Sequence, residues 1–216
     1  MLGPLVCLEF RRDTDDTPVS SMNHSRKAHR IVDLSQYQQG SYQAGRSFWV
    51  RSIWHVVNYM ILRNDLLPFS VLRRALLRLF GAKIGPGVIM RRGFSVKFPW
   101  RLEIGAHAWI GERVWIDSLA PVTIGAHVCI SQGAYLCTGN HDWADVHFGL
   151  ITRPIQIDDG AWIGARAIVC PGVTVGTHAV LTAGSVATCE LESYQVYSGN
   201  PAAAVRERSI HLKSSA

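Results

Sequence analysis

The sequence predicts a mainly β chain, wound as a parallel β-helix of hexapeptide repeats, with a helical segment before it and a helix after it. Three observations carry that prediction. First, residues 104–187 read in sixes: IGAHAW, IGERVW, IDSLAP, IGAHVC, ISQGAY and LCTGNH, then, after an interruption, IDDGAW, IGARAI, VCPGVT, VGTHAV and LTAGSV. Each six opens on Ile, Leu or Val and usually has Ala, Val or Ser in fifth place, whereas an amphipathic helix repeats its apolar residues at three and four. A chain that turns a corner every six residues points both positions into a narrow prism whose flat faces are short strands. Second, there is a longer beat. Ile84, Ile104 and Ile124 are 20 residues apart, and the entries WRLEIG, APVTIG and RPIQID put Leu102, Val122 and Ile155 two residues earlier on the same strand face. Third, the phase survives the interruption. Coils start near Ile84, Ile104, Ile124, Ile157 and Val175; the third measures 33 residues, so an insertion of 33 − 20 = 13 residues lies within an external loop at about 138–153.

Each element follows in order. Residues 1–45 are expected to be an unordered extension, because RRDTDDTPVSSMNHSRKAH is polar, charged and aperiodic. The opening MLGPLVCLEF lacks the basic start of a signal peptide, and Met22 is an alternative start. IVDLSQYQQGSYQAG is expected to pack loosely on a neighbour. Residues 46–82 form a helical segment. FWVRSIWHVVNYMIL is apolar but, at 15 residues, shorter than a membrane span of about 20. Asp65 and Pro68 break it, and FSVLRRALLRLF follows with Arg73, Arg74 and Arg78 among leucines. These helices pack on the prism or on a sister subunit, with peripheral membrane contact through residues 46–80 as the second reading.

Residues 83–192 are the prism. Pro99 falls at a corner, where no ladder N–H is required. Trp109, Trp115, Tyr135 and Trp162 occupy sixth positions and face outward, as a subunit interface would. His107, His127 and His178 share the fourth position, where solvent or an interface takes them rather than catalysis. Residues 193–216 end the chain. NPAAAVRERSIHL reads as a helix with Asn200 as N-cap and Pro201 in the first turn, laid over the open end of the prism.

A net charge of +6 and a pI of 9.3 suit an anionic partner. The basic residues are scattered and no nucleic-acid motif is present, which argues against nucleic acid. Five cysteines, Cys7, Cys129, Cys137, Cys170 and Cys189, are odd in number and without CxxC spacing, so a reducing, cytoplasmic setting fits better than a disulfide framework.

Chemistry concentrates in the loop. A long excursion from a regular repeat is usually functional or disordered, and this one holds Asn140, His141, Asp142, His147 and Arg153. Histidine titrates near neutrality, which makes His141 a candidate general base. Hexads together with TGNHDW, WIG, PGVTVG, AGSV and SGNPAAAVRER resemble the hexapeptide-repeat acetyltransferases, in particular the exopolysaccharide sugar O-acetyltransferases of the colanic acid biosynthesis type, over residues 48–208.

The resemblance implies a left-handed β-helix, a homotrimer, acetyl-CoA as co-substrate in the groove between neighbouring prisms, a saccharide acceptor, no metal, and a cytoplasmic enzyme, peripheral to the membrane in the second reading. It also implies roles. His141 matches the catalytic histidine. Asp117 stands near a polar acceptor-binding position, and Asn140 and Asp142 orient His141 or the sugar. Trp162, Gly164 and Ala165 match the coenzyme wall, Ala183 and Gly184 the small pair beside the pantetheine arm, and Thr188 and Arg206 the nucleotide end. Cys189 departs from the pattern, since many members carry lysine there; Arg166 and Arg208 are the substitutes. Three rivals remain: an N-acetyltransferase on an amino sugar, a zinc enzyme resembling the γ-class carbonic anhydrases with His127, His141 and His147 as ligands, and a non-catalytic scaffold.

Overall fold

The repeat closes into five coils of three short strands. In the computed structural model, which describes residues 31–66 and 69–211, two helices precede them: α1 (Phe48–Val57), continued by a π turn (Asn58–Leu62), and α2 (Ser70–Leu79). The first coil holds β1 (Lys83–Ile84), β2 (Ile89–Met90) and β3 (Ser95–Val96); the second holds β4 (Leu102–Ile104), β5 (Trp109–Ile110) and β6 (Trp115–Asp117). The third holds β7 (Val122–Ile124), β8 (Cys129–Ile130) and β9 (Tyr135–Cys137), and then leaves the prism as a hairpin of β10 (Gly139–His141) and β11 (Leu150–Thr152). β12 (Ile155–Ile157), β13 (Trp162–Ile163) and β14 (Ile168–Val169) form the fourth coil, and β15 (Thr174–Val175), β16 (Val180–Leu181) and β17 (Val186–Ala187) the fifth. β18 (Gln195–Gly199) and β19 (Ala202–Glu207) close the chain.

Strands of equal rank stack in parallel into three faces. The first is β1-β4-β7-β12-β15, the third is β3-β6-β9-β14-β17, and the second, β2-β5-β8-β13-β16, is extended by β18 and β19. The helix is left-handed. The residues that open the coils pair in register, Ile84 with Ile104, Ile104 with Ile124, Ile124 with Ile157 and Ile157 with Val175. Aliphatic first positions (Ile110, Ile130, Ile163, Leu181) and small fifth positions (Ala108, Ala134, Ala161, Ala179) are buried, so the interior is a column of apolar rungs.

Corners are where the repeat needs special backbone. Between the first and second faces, one position takes a left-handed φ in every turn: Gly87 (67°), His107 (57°), His127 (57°), Gly160 (68°), His178 (57°) and Tyr194 (59°). Each glycine here precedes a histidine whose ring needs the space: a Cβ on Gly87 would meet the His107 ring at 2.3 Å, and one on Gly160 the His178 ring at 2.2 Å. His107 and His127 stack with centroids 5.3 Å apart. The three histidines therefore belong to a structural ladder.

The ends are managed differently. The first coil has no predecessor, and α2 supplies what it lacks. Arg78 Nη2 donates to the Ile84 carbonyl (2.7 Å), Arg74 donates to the Val88 carbonyl, and Ser70 Oγ accepts from the Met90 amide (3.0 Å). The basic side of this helix is thus turned to the prism rather than to an anionic surface. Arg73 is buried and reaches the Asn64 carbonyl.

At the other end the expected C-terminal helix does not form. β18 pairs with β16, and after Gly199 (φ 104°) the chain returns as β19, antiparallel to β18. The open edge of β16 is satisfied by a strand, which overrides the helix propensity of the alanines.

Residues 31–45 run beside the hairpin on their own chain. The Asp33 and Gln38 amides donate to the Val146 and His147 carbonyls (3.1 and 3.4 Å), and the Ala44 carbonyl accepts from Trp100 Nε1 (2.8 Å). The expectations placed on residues 1–30, on Pro68 and on residues 212–216 lie outside the described residues.

Candidate active site

The site is built where the third coil leaves the prism. Asp117, at the end of β6, sits in register with Cys137 at the end of β9, and Thr138 Oγ1 donates to the Asp117 carbonyl (2.6 Å) while accepting from the Ala120 amide (2.9 Å). That rivet fixes the root of the hairpin. Beyond it Gly139, Asn140 and His141 pair with Thr152, Ile151 and Leu150.

His141 is half-buried on this hairpin. Its Nδ1 lies 3.0 Å from the Phe148 carbonyl oxygen. A carbonyl only accepts, so Nδ1 carries the proton and the lone pair of the neutral ring is on Nε2. The imidazole stacks on the Phe148 ring (4.4 Å, 9°) and meets Tyr37 edge-on (5.8 Å, 60°). Phe148 itself has a φ of 50°. A ring held on two sides with one basic nitrogen free is the geometry a general base requires.

The neighbouring candidates divide. Asn140 is exposed, and its Oδ1 accepts from the His141 amide (2.8 Å). Asp142 shapes the loop, its Oδ1 accepting from the Ala144 amide (3.0 Å), rather than holding the imidazole. Asp117 is 7 % exposed, with Oδ1 3.0 Å from Lys97 Nζ in an ion pair whose angles do not form a hydrogen bond. Next to it, burial pushes the Tyr135 hydroxyl well above its usual range, and Cys137 and Asp117 add to the effect.

Five of the coenzyme candidates are contiguous. Trp162 is exposed on the second face, with Nε1 donating to Ser131 Oγ (2.9 Å). Gly164 and Ala165 turn the next corner, and Ala183 and Gly184 turn the same corner one coil on, where the Gly184 amide donates to the Ala165 carbonyl (2.8 Å). Gly164 is required by packing: a Cβ there would lie 2.5 Å from the Ala183 nitrogen. Gly184 (φ 70°) differs, since a Cβ there would meet nothing within 4 Å. The end of the coil therefore exposes a bare backbone, the surface a thin pantetheine arm needs.

Arg206 is exposed on β19, in the register row that runs from Trp162 through Val180 and Val196, roughly 14 Å along the face at about 4.8 Å per strand. Thr188 is half-buried beside Cys189 (3.9 Å). Arg208 is half-buried, its Nη1 donating to the Gly160 and His178 carbonyls, both at 3.0 Å. Arg166 is exposed at a corner and remains available.

The zinc reading fails on placement. His127 stands in the corner ladder, while His147 pairs with Asp145 Oδ1 (3.2 Å) on the hairpin. Among the described residues no three His, Cys, Asp or Glu side chains are grouped to hold a metal ion. Sequence reasoning missed Phe148, Tyr37 and Lys97. Only Phe148 carried a signal, its place in the segment that closes the insertion.

A hexad prism forms the wall, and the hairpin that leaves it carries the candidate base His141, an arrangement of the hexapeptide-repeat class. A model described as "Hexapeptide repeat of succinyl-transferase" matches residues 154–189. The chain is 46% identical over 179 residues to the putative colanic acid biosynthesis acetyltransferase WcaF of Escherichia coli K12, covering 82% of this chain and 98% of that protein. It is 28% identical over 141 residues to the galactoside O-acetyltransferase of Escherichia coli, covering 62% of this chain and 68% of that one. Among solved structures, a hexapeptide-repeat acetyltransferase of Vibrio cholerae complexed with acetyl coenzyme A superposes with a TM-score of 0.70 at 25% identity, over 82% of this chain and 97% of that chain. The chain belongs to the hexapeptide-repeat acetyltransferases and is a relative of WcaF within that family.

Proposed function

We propose that the protein transfers an acetyl group from acetyl-CoA to a hydroxyl of a saccharide, an exopolysaccharide or other glycan intermediate, with His141 as general base. The observation that carries the assignment of the base is the Nδ1–H···O=C bond to Phe148, which leaves Nε2 basic. Nε2 takes the hydroxyl proton as the oxygen bonds to the acetyl carbonyl carbon. The thioester C–S bond then breaks, and the imidazolium returns the proton to the departing thiolate. No acyl-enzyme is needed, because the two substrates react while held together.

In this reading Trp162, Gly164, Ala165, Ala183 and Gly184 line the pantetheine arm. Thr188 and Arg206 stand at the nucleotide end, where the guanidinium suits a phosphate. Asp117 and Asn140 face the acceptor. Three copies complete the enzyme, with the exposed Trp109 and Trp162 meeting neighbours and the coenzyme lying in the seam. The outward side of α1 and its π turn, with Trp49, Ile53, Val56, Tyr59 and Met60 exposed, is the place for peripheral membrane contact. No helix among the described residues is long and apolar enough to cross a membrane.

Thiol release from acetyl-CoA over a panel of sugars and glycans, for wild type and His141→Ala, tests the base. Equal rates on a true acceptor sink it. Sedimentation of the purified protein tests the trimer, and flotation with anionic liposomes tests the membrane contact.

A further inference from the structure

A groove of about 1050 Å³ lies between α1 and the third face, at the upper end of the range for ligand pockets. It is a built site. Trp54, 2 % exposed, donates from Nε1 to the Val96 carbonyl (3.0 Å), and Asn58 Nδ2 donates to Ser95 Oγ (3.1 Å), which together pin the helix to β3. Four cations line it: Arg51, Arg63, Lys97 and Arg113. Two of them are already paired, Arg113 with Asp65 (2.8 Å) and Lys97 with Asp117 (3.0 Å). Arg51 and Arg63 have no carboxylate within ion-pair distance among the described residues, and the buried Nε of Arg51 has no hydrogen-bond partner. A buried donor without an acceptor is costly, and the Arg51 guanidinium, with the exposed Arg63 nearby over the Tyr59 ring, matches an anion with several oxygens.

The groove also points toward the chemistry. Trp115 lines it, is 46 % exposed, and is held flat by stacking on Tyr135 (4.4 Å, 13°), a platform for the C–H face of a pyranose. Lys97 leads to Asp117, and Asp117 to Cys137, two residues before the strand that carries His141. Two strand spacings and that short strand span roughly 10–15 Å, about the length of a disaccharide.

We infer that this groove is the acceptor cleft and that the acceptor is a saccharide bearing a phosphate, bound through Arg51 with its sugar rings running over Trp115 toward His141. The inference rests on the acetyl-transfer reading and names its acceptor class.

Calorimetric titration of wild type and Arg51→Gln with glucose 1-phosphate, glucose and glucuronate tests it. The expected result is binding of glucose 1-phosphate at least about tenfold tighter than the other two in wild type, with that preference lost in the variant. The melting temperature should not fall, since Arg51 Nε has no partner to lose and its unpartnered burial is removed. Two further probes, a nucleoside diphosphate glucose and a prenyl phosphate glucose, separate the sources: whichever binds tighter than glucose 1-phosphate names the carrier. The inference is overturned if wild type binds glucose 1-phosphate no better than glucose, if glucuronate binds as tightly, or if Arg51→Gln weakens all three probes alike. Phosphate-dependent binding without acetyl transfer to any acceptor would instead overturn the acetyl-transfer reading and leave the cleft standing.

Discussion

His127 and His141 are fourteen residues apart and do opposite things. At the first corner His127 is set by its neighbours on both sides. Its amide donates to the Ala106 carbonyl one coil earlier (2.9 Å), its φ is the left-handed 57° shared by the ladder, and its ring stacks on His107. At the third corner the chain leaves the ladder, and His141 is set by its own hairpin, through the Phe148 carbonyl and ring. The regular repeat fixes both the backbone and the ring of a side chain that joins it. The excursion fixes only one nitrogen and leaves the other free. Chemistry thus sits where the repeat is interrupted, and rigidity comes from where it is not.

The largest expected effect breaks this contrast at the hairpin. His141→Ala should lower acetyl transfer by about 10²–10⁴-fold, the usual range for a general base, with the melting temperature close to wild type because the ring packs on Phe148 and Tyr37 outside the prism core. Thiol release with a saccharide acceptor measures it, and a variant that still turns over at more than a tenth of the wild-type rate would remove His141 from the mechanism.

The second effect strikes the ladder. Gly160→Ala places a Cβ 2.2 Å from the His178 ring at a φ of 68°. A strained backbone position of this kind costs roughly 1–3 kcal/mol, to be read from denaturant unfolding. Adding His178→Gly should recover part of the loss by removing the ring. If the double variant is no more stable than the single one, ring packing is not what requires glycine at this corner.

These two regions were not equally legible. The five coil starts, Ile84, Ile104, Ile124, Ile157 and Val175, follow from the hexads because each must fill the same interior rung, and the register of the first face reproduces them. The length of the excursion was legible for the same reason. Its inner geometry was not: the partner of His141 Nδ1 is a backbone carbonyl, which every residue type supplies, and Tyr37 lies far away in a segment without periodicity. The end of the chain was misread because residues 202–207 have a strong local helix preference, while the unpaired edge that recruits β18 and β19 is a property of the stacked coils.

A smaller effect sharpens the comparison from the N-terminal side. Tyr37 touches the imidazole only by its edge, a contact worth about 0.5–1.5 kcal/mol. Tyr37→Ala should therefore reduce kcat by about two- to tenfold and leave KM for acetyl-CoA unchanged, whereas Tyr37→Phe keeps the ring and should match wild type. A fall in both kcat and melting temperature for Tyr37→Ala would mean that the segment stabilises the hairpin as a whole rather than orienting the base.

The smallest effect asks whether the ladder is only structural. His127→Asn removes one ring of the His107 stack but keeps a residue that tolerates the left-handed backbone better than most. The loss should be about 0.5–1.5 kcal/mol in unfolding free energy, the worth of one ring pair. Acetyl transfer should stay within about twofold of wild type, because the first corner and the hairpin stand at different edges of the prism. A larger loss of activity without a loss of stability would mean that the imidazole column communicates with the third corner, and that the division of labour between repeat and excursion does not hold.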